Sequence, residues 1–241
     1  MNRIKKSVSI FLICITTSLF SNDAWVSFKN ETIAAMKTIS GWCSSEKAFL
    51  MMDVIKENKC QNCVEIGVFS GVSLFPIAKA LQYNGEGKVF AIDAWDISEA
   101  TKGFSPSDPN YTWWSQLDFN CFYKQTLTII SKNELNKFCS IIKQPSQSAV
   151  HLFSDEMIDF IHLDGNHNEE FAFQDIIEYF PKIKDGGYIL LNDPNWFSMK
   201  RSLVFLLERA DLVSSFSPSA TYFLFRKNNQ RAQNANILFQ N

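Results

Sequence analysis

The chain has 241 residues, of which 46% are hydrophobic and 20% are charged. This is the composition of a globular protein of one or two domains, and it argues against a disordered, collagen-like or repetitive chain. The 23 basic and 25 acidic residues give a formal net charge of -2, and no basic block stands out. Because binding to a phosphate backbone requires clustered positive charge, nucleic acid is not an expected partner.

The first 21 residues have the pattern of a secretory signal peptide. Three basic residues in the first six precede an apolar run, Ser7 to Phe20, and the small residues Ser18 and Ser21 offer cleavage positions. The run is shorter than the roughly 20 residues that a membrane-spanning helix needs. We therefore expect an exported protein without a stable membrane span in its mature form. An uncleaved anchor, or a wrong start site before a cytosolic protein, are the alternatives.

The cysteines do not decide the compartment. Five remain after residue 21, namely Cys43, Cys60, Cys63, Cys121 and Cys139, and an odd number leaves at least one free thiol. The spacing of Cys60 and Cys63 is that of redox or zinc sites, but no second pair supplies further ligands. We interpret this spacing as coincidental.

From about residue 30 the hydrophobic pattern alternates between helical and strand periods, which is typical of a doubly wound parallel sheet. In chain order we predict helices over 32–36 and 46–57, a strand over 63–67, a helix over 72–81, a strand over 88–92, a loop over 94–114, a helix over 115–131, strands over 139–143 and 158–163, a helix over 171–180, a strand over 188–191, a helix over 198–208 and a closing hairpin of 212–216 and 221–226.

These elements predict an α/β fold with a Rossmann-like doubly wound sheet that is mostly parallel and has an antiparallel C-terminal strand. One domain over residues 22–226 accommodates all of them. Residues 227–241 are polar and rich in Asn and Gln, and we expect this tail to fray.

In such a sheet, ligands bind outside the carboxyl ends of the strands. Residues with useful chemistry that fall there are Glu65, Gly67, Gly71, Asp93, Ser146, Asp164, His167, Asn192 and Asp193.

The first two strands predict a nucleoside site. Gly67 and Gly71 allow a sharp turn and a close approach of the backbone to a ligand, and the next helix presents free N–H groups. Asp93 ends the second strand, where a carboxylate accepts hydrogen bonds from a ribose diol. Tight packing of the glycines and a solvated loop carboxylate are the alternatives. A dinucleotide enzyme is the rival interpretation, but the G-x-G-x-x-G spacing is missing.

At this point the sequence resembles the class I S-adenosylmethionine-dependent methyltransferases, whose first motif is an acidic residue, any residue, Gly, three residues and Gly. The stretches 158–167 and 184–193 are similar to the branch that contains small-molecule and sugar O-methyltransferases. The resemblance covers roughly residues 40–226. It implies transfer of a methyl group from S-adenosylmethionine to a small-molecule or sugar acceptor.

The resemblance also implies roles for particular residues. Glu65, Gly67, Gly71 and Asp93 would hold the cofactor. Ser146 either touches the adenine edge or belongs to a plain loop.

Family members that use a divalent metal take ligands after the fourth and fifth strands, which correspond here to Asp164 and to Asn192 with Asp193. Mg²⁺ would favour such oxygen ligands and would help a hydroxyl to lose its proton. His167 would be the base, since an imidazole titrates near neutral pH. The family often has two adjacent acids where this chain has Asn192 and Asp193, which lowers the charge available to a metal. A turn at Asp164, with His167 capping the next helix, is the alternative interpretation.

The aromatic residues of the 94–114 segment have two interpretations that the sequence leaves open. Trp95, Tyr111, Trp113 and Trp114 form either a lid or stacking wall for an acceptor, or ordinary packing. His162, inside a predicted strand, is interpreted as a core histidine, and His151 is given no role.

A second hypothesis comes from a different class of protein. A signal peptide would carry an enzyme away from the cytosolic cofactor pool. The chain would then be an exported ligand-binding protein that has the methyltransferase fold without catalysis.

Overall fold

The computed structural model describes residues 23–214 and 220–238. The chain divides into two compact units, residues 1–38 and 39–241. In the first unit the described part contains helix α1, residues 23–36, which is longer than the predicted helix over 32–36. The predicted signal peptide, with Ser18 and Ser21, lies outside the described residues.

The second unit is built on a sheet of seven strands in the order β3-β2-β1-β4-β5-β7-β6. Strands β1 to β5 are parallel, and β7 is antiparallel to both of its neighbours. The predicted fold class is therefore confirmed. The strands are β1 Asn62–Ile66, β2 Lys88–Asp93, β3 Cys139–Lys143, β4 Ile158–Leu163, β5 Ile183–Asn192, β6 Ala210–Leu212 and β7 Tyr222–Lys227.

Helices precede, connect and follow the strands of this sheet. They are α2 Ser45–Glu57, α3 Leu74–Asn84, α4 Ile97–Ala100, α5 Pro109–Trp114, α6 Phe119–Lys132, α7 Ser146–Ala149, α8 Glu169–Tyr179, α9 Lys200–Arg209 and α10 Asn229–Leu238.

The central strands are nearly continuous runs of apolar residues because both faces of a parallel sheet are covered. In β4, Phe160 and Ile161 have no exposed surface, and the same holds for Ile189 to Leu191 in β5. The strand order reverses between β1 and β4, so a crevice opens outside their carboxyl ends. This crevice is the ligand position that the sequence predicts.

The segment 94–114, predicted as a loop, contains two short helices. Asp96 is the N-cap of α4 and accepts from the backbone N–H groups of Ser98 and Glu99. Asp108 caps α5 in the same way, with Pro109 at the first helical position. These caps stabilise single helical turns that lack the apolar periodicity on which the prediction relied.

The expectation of a frayed tail is wrong for residues 229–238, which form α10. Asn229 N–H donates to Asp185 Oδ1, and Arg231 donates to the Leu207 carbonyl and to Asp211. Polar contacts to the sheet and to the α9 region hold this helix in place. Because it lacks an apolar periodicity, the sequence pattern did not predict it.

The closing hairpin is antiparallel as predicted, although its first strand is Ala210–Leu212 instead of 212–216. Residues 215 and 216 lie outside the described residues. Within the described part of the chain, no helix is long and apolar enough to cross a membrane. Cys43, Cys60, Cys63, Cys121 and Cys139 are free thiols.

Candidate active site

A cavity of about 780 Å³ lies at the carboxyl ends of β1, β2, β4 and β5. Its volume is in the range of cavities that hold small ligands. Of the predicted site residues, seven line it, namely Gly67, Asp93, Ser146, Asp164, His167, Asn192 and Asp193.

Gly67 brings the end of β1 directly against the end of β4. Its φ is +83°, and a Cβ atom there would lie 2.0 Å from the carbonyl oxygen of Asp164. No side chain fits at that distance, so this position requires glycine for space as well as for conformation. Gly71 also has a left-handed backbone, with φ +90°, and its N–H closes a turn onto the Val68 carbonyl. It shapes the loop but does not line the cavity.

Asp93 fixes the two loops around it through backbone hydrogen bonds. Its Oδ2 accepts from the N–H groups of Val68 and Phe69, both at 2.9 Å, and its Oδ1 accepts from Trp95 N–H at 2.7 Å. Burial raises the pKa of Asp93, while these three donors act in the opposite direction. The carboxylate is thus held rigidly at the edge of the cavity, with acceptor capacity left for a ligand.

Glu65 does not line the cavity, in contrast to its predicted contact with a ligand. It is fully buried, and its Oε1 lies 3.0 Å from Nδ1 of His162, its register partner on β4. Burial raises the pKa of Glu65 to about 8 and lowers that of His162 well below its usual value. Burial thus favours the uncharged form of both groups, and the pair packs in the sheet behind the cavity lining.

Ser146 lies at the cavity wall after β3 and donates to Asp175 Oδ1 at 2.5 Å. Gln147 donates to the same oxygen at 2.8 Å. Burial raises the pKa of Asp175 to about 7. The serine hydroxyl is therefore already engaged, and its contact with a ligand would use a lone pair of its oxygen.

Lys47, from the first turn of α2, reaches the carboxyl ends of β4 and β5. Its Nζ lies 2.6 Å from Asn192 Oδ1 and 3.5 Å from Asp164 Oδ2, and only 3% of the residue is exposed. Burial raises the pKa of Asp164, and the charges of Lys47 and His167 oppose that rise. Asp164 is thus half of a nearly buried ion pair.

His167 lies beside two carboxylates at the same end of the cavity. Its Nε2 is 3.2 Å from Asp193 Oδ2 and 3.8 Å from Asp164 Oδ1. Burial alone would lower the pKa of His167, but the hydrogen bond to Asp193 and the charges of Asp164 and Asp193 outweigh burial and raise it. Asp193 itself has a left-handed backbone, φ +45°, a strained conformation of the kind that clusters at functional sites.

Aromatic side chains form the outer wall of the cavity. Trp42, Phe69, Trp113 and Trp114 line it, with ring centroids 5.2 Å apart for Trp42 and Trp113 and 4.5 Å apart for Trp113 and Trp114. Trp95 instead is buried and donates its indole N–H to the Phe69 carbonyl at 2.7 Å. Of the predicted aromatic set, two residues therefore form a wall, while Trp95 and Tyr111 do not line the cavity.

The oxygens proposed as metal ligands are already engaged with protein donors. The Nδ2 of Asn192 donates to Asp164 Oδ1 at 2.7 Å and to Asp193 Oδ2 at 3.1 Å, and its Oδ1 accepts from Lys47. Within the described ranges, no cluster of three or more His, Cys, Asp or Glu residues is arranged to hold a metal ion. This donor set does not fit a divalent cation while the Lys47 ammonium is in place.

Sequence reasoning missed Lys47, Trp42, Phe69 and Asp175. The signal for Lys47 was present, because it is in helical register with the buried Met51 on the apolar face of α2. A lysine in such a stripe is unusual unless it has a buried partner.

A family model described as a methyltransferase domain matches residues 64–194. This match runs from within β1 to just beyond the end of β5 and includes all of the predicted site residues. A search of curated proteins finds no match.

Solved structures with the same fold include three methyltransferases. A Podospora anserina methyltransferase with bound S-adenosylhomocysteine has a TM-score of 0.59 at 13% identity, over 83% of this chain and 88% of its own. An O-methyltransferase of tomaymycin synthesis from Streptomyces achromogenes, in complex with S-adenosylmethionine, has a TM-score of 0.56 at 12% identity, over 78% and 82%. A Bacillus cereus O-methyltransferase, in complex with S-adenosylhomocysteine, has a TM-score of 0.55 at 13% identity, over 84% and 90%.

Proposed function

This chain belongs to the methyltransferase-domain family and is a class I S-adenosylmethionine-dependent enzyme, and we propose that it methylates an oxygen atom of a small molecule or sugar. The observation that carries the proposal is the position of His167. It lines the same cavity as Asp93 and lies against Asp193 and Asp164. One cavity thus combines a candidate ribose acceptor with a candidate base.

The cofactor would lie across the ends of β1 and β2. Its sulfonium sulfur supplies an electrophilic methyl group. Gly67 leaves room for close contact with the backbone, and Asp93 is held in place by three N–H donors to accept from the ribose hydroxyls. Ser146 and Gln147 line the wall near the end of β3, where the base of the nucleoside would lie.

The acceptor would lie at the β4 and β5 end, between His167 and the aromatic wall. In the reaction the acceptor oxygen would form a bond to the methyl carbon while the bond between that carbon and sulfur breaks, with S-adenosylhomocysteine as the leaving group. His167 would take the hydroxyl proton. Most of the rate enhancement would come from holding the reacting atoms in line, with general-base catalysis added.

His167 accepts this proton only in its neutral form. In the structure its Nε2 lies near Asp193, so the acceptor hydroxyl would replace Asp193 at that nitrogen. Asp193 would then stabilise the imidazolium that forms, because a carboxylate next to an imidazole favours its charged state.

Magnesium assistance through Asp164, Asn192 and Asp193 is the finer mechanism that the family pattern predicts. The hydrogen bonds among these residues and Lys47 do not support it, so the proposed mechanism has no metal step. The requirement for a metal is settled by measuring methyl transfer with a chelator and with added Mg²⁺.

Calorimetric titration of the purified chain with S-adenosylmethionine and S-adenosylhomocysteine is the first experiment. We expect micromolar binding of both, followed by transfer of radiolabelled methyl to hydroxyl-bearing members of an acceptor panel. Binding of both without transfer to any acceptor would contradict the proposed activity. Absence of binding would favour the exported, non-catalytic ligand-binding protein.

We also propose that the protein is exported, and the support is the sequence pattern of residues 1–21. Fractionation of expressing cells, with N-terminal sequencing of the recovered protein, tests this. A mature N-terminus near residue 22 outside the cytoplasm is the expected result. A full-length chain in the cytoplasm would contradict it.

A further inference from the structure

The β4 and β5 end of the cavity contains a cation that comes from the protein itself. The side chains of Lys47 and Asp164 form an ion pair and are 4% and 18% exposed, respectively. Such a pair is costly to bury, and it persists where hydrogen bonds satisfy its members. Here Asn192 supplies them by accepting from Lys47 and donating to Asp164.

The ammonium occupies the space that a divalent cation would need. A metal bound by Asp164 and Asn192 would lie within a few ångströms of Lys47 Nζ, because that nitrogen is 2.6 Å from Asn192 Oδ1 and 3.5 Å from Asp164 Oδ2. Two positive ions at such a distance repel strongly in a partly dehydrated cavity. Lysine and metal are therefore alternatives at this position.

One N–H of the ammonium is not accounted for. Among the described residues, Nζ has two oxygen partners, Asn192 Oδ1 and Asp164 Oδ2, and an ammonium carries three donors. Lys47 also lines the cavity. An oxygen of a bound molecule can accept the third hydrogen bond.

We propose that Lys47 is the resident cation of this site, taking the place of a divalent metal and donating a hydrogen bond to the acceptor oxygen. Its charge would stabilise the oxyanion as the hydroxyl loses its proton, which is the contribution a metal otherwise makes. The replacement of a metal by Lys47 does not depend on the proposed function, whereas the hydrogen bond from Lys47 to the acceptor rests on the proposed function.

The first test uses Mn²⁺ alone and needs no acceptor. Electron paramagnetic resonance of free Mn²⁺ is followed as the full chain is titrated, for the wild type, Lys47→Met and Lys184→Met. Lys184 is a matched control because it pairs with Asp159 at the amino-terminal ends of β5 and β4, whereas the cavity lies at the carboxyl ends. We expect Lys47→Met to bind Mn²⁺ with an affinity at least about tenfold higher than that of the other two proteins.

Two outcomes would overturn the replacement of a metal by Lys47. One is wild-type binding of Mn²⁺ that Asp164→Asn abolishes. The other is a folded Lys47→Met protein that gains no affinity. If Lys47→Met fails to fold, the expected cause is the Asp164 carboxylate, which this substitution leaves buried without a partner. The double variant Lys47→Met with Asp164→Asn removes both charges, so recovery of its fold would identify that cause. Binding of Mn²⁺ by the wild type, with and without Asp164→Asn, then decides whether Lys47 replaces a metal.

The second test separates acceptor from cofactor. Calorimetry of Lys47→Met with S-adenosylmethionine is expected to show wild-type affinity, and kcat for an identified acceptor is expected to fall at unchanged KM for the cofactor. A loss of cofactor affinity would instead mean that the ammonium binds the cofactor, which overturns the contact with the acceptor. If the wild type itself does not bind the cofactor, the proposed function is wrong, whereas the conclusion from the Mn²⁺ titration is unaffected.

Discussion

The β1 and β2 edge of the cavity is arranged mainly by backbone, whereas the β4 and β5 edge is arranged by charged side chains. At the first edge, Gly67 has its backbone against Asp164, and Asp93 accepts from three backbone N–H groups. At the second, Lys47, Asn192 and His167 are held by one another and by the two aspartates. The first edge is therefore held by backbone groups around a single carboxylate, and the second depends on several charged side chains that interact with one another.

The largest effect is expected at the backbone edge, for Gly67→Ala. The added Cβ would lie 2.0 Å from the Asp164 carbonyl oxygen, so β1 and β4 must separate. We expect a loss of unfolding free energy of about 3 kcal/mol or more, together with loss of cofactor binding. Denaturant unfolding and calorimetry measure these two effects.

Gly85→Ala is the matched control for this substitution. Gly85 has nearly the same φ, +79°, with nothing within 4 Å of an added Cβ. The substitution should lower the free energy of unfolding by about 1 kcal/mol, because the only penalty is that of placing a residue with a Cβ in a left-handed backbone conformation. Equal losses in the two variants would show that the contact with Asp164 is unimportant.

Asp93→Ala tests the same edge through its carboxylate. The substitution removes the acceptor of three backbone N–H groups and the predicted partner of the ribose. We expect cofactor affinity to fall by about 100-fold or more, since hydrogen bonds to a charged group contribute about 1.5 to 3 kcal/mol each. Asp118→Asn, which alters an exposed cap of α6 that does not itself line the cavity, should leave affinity unchanged in the same titration.

His167→Ala tests the charged edge. The variant should bind S-adenosylmethionine like the wild type and transfer methyl groups about 100-fold or more slowly, as expected for loss of a general base. Calorimetry and single-turnover methyl transfer measure the two properties. Loss of cofactor binding in this variant would refute the assignment of His167 as a base.

The pH dependence sharpens the contrast between the edges. The pKa of His167 is raised above its usual 6.5 by Asp193 and Asp164. The rate should therefore increase with pH and level off only above this raised pKa. For stability the sign is opposite, because the contribution of His167 is fully present below about 6.5 and is lost as pH rises through the folded-state pKa.

Asp193→Asn removes one of the charges and should move the titration of His167 to lower pH. Asn tolerates the left-handed backbone at this position, so the fold should be retained. Nuclear magnetic resonance of the His167 ring protons gives the pKa without an acceptor. An unchanged pKa would show that Asp193 does not govern this histidine.

The smallest effect is expected for Ser146→Ala. The serine donates to Asp175, which Gln147 also contacts, so one of two donors is lost. We expect cofactor affinity to change by less than about tenfold, which corresponds to one ordinary hydrogen bond. A larger loss in a titration would mean that the serine oxygen contacts the cofactor directly.

Strand patterning could be predicted because each buried strand carries its own signal. The apolar runs of β2 to β4 match the structure to within one residue at each end. The helices α4, α5 and α10 carry no such signal, since caps and polar contacts stabilise them. Motif spacing likewise placed Gly67, Asp93, Asp164 and His167 at the cavity, because strand-end residues of a parallel sheet meet at one edge.

The sequence by itself determined the sheet, the mostly parallel direction of its strands and the end of the sheet at which the cavity lies. Hydrophobic periodicity and glycine spacing are local properties, so they can be read along the chain. Only the tertiary structure decided that Glu65 lies below the cavity with His162 and that Lys47 reaches Asp164 and Asn192. Those contacts join residues 97, 117 and 145 positions apart, and only the packing of α2 and β1 beside β4 and β5 brings their charges together.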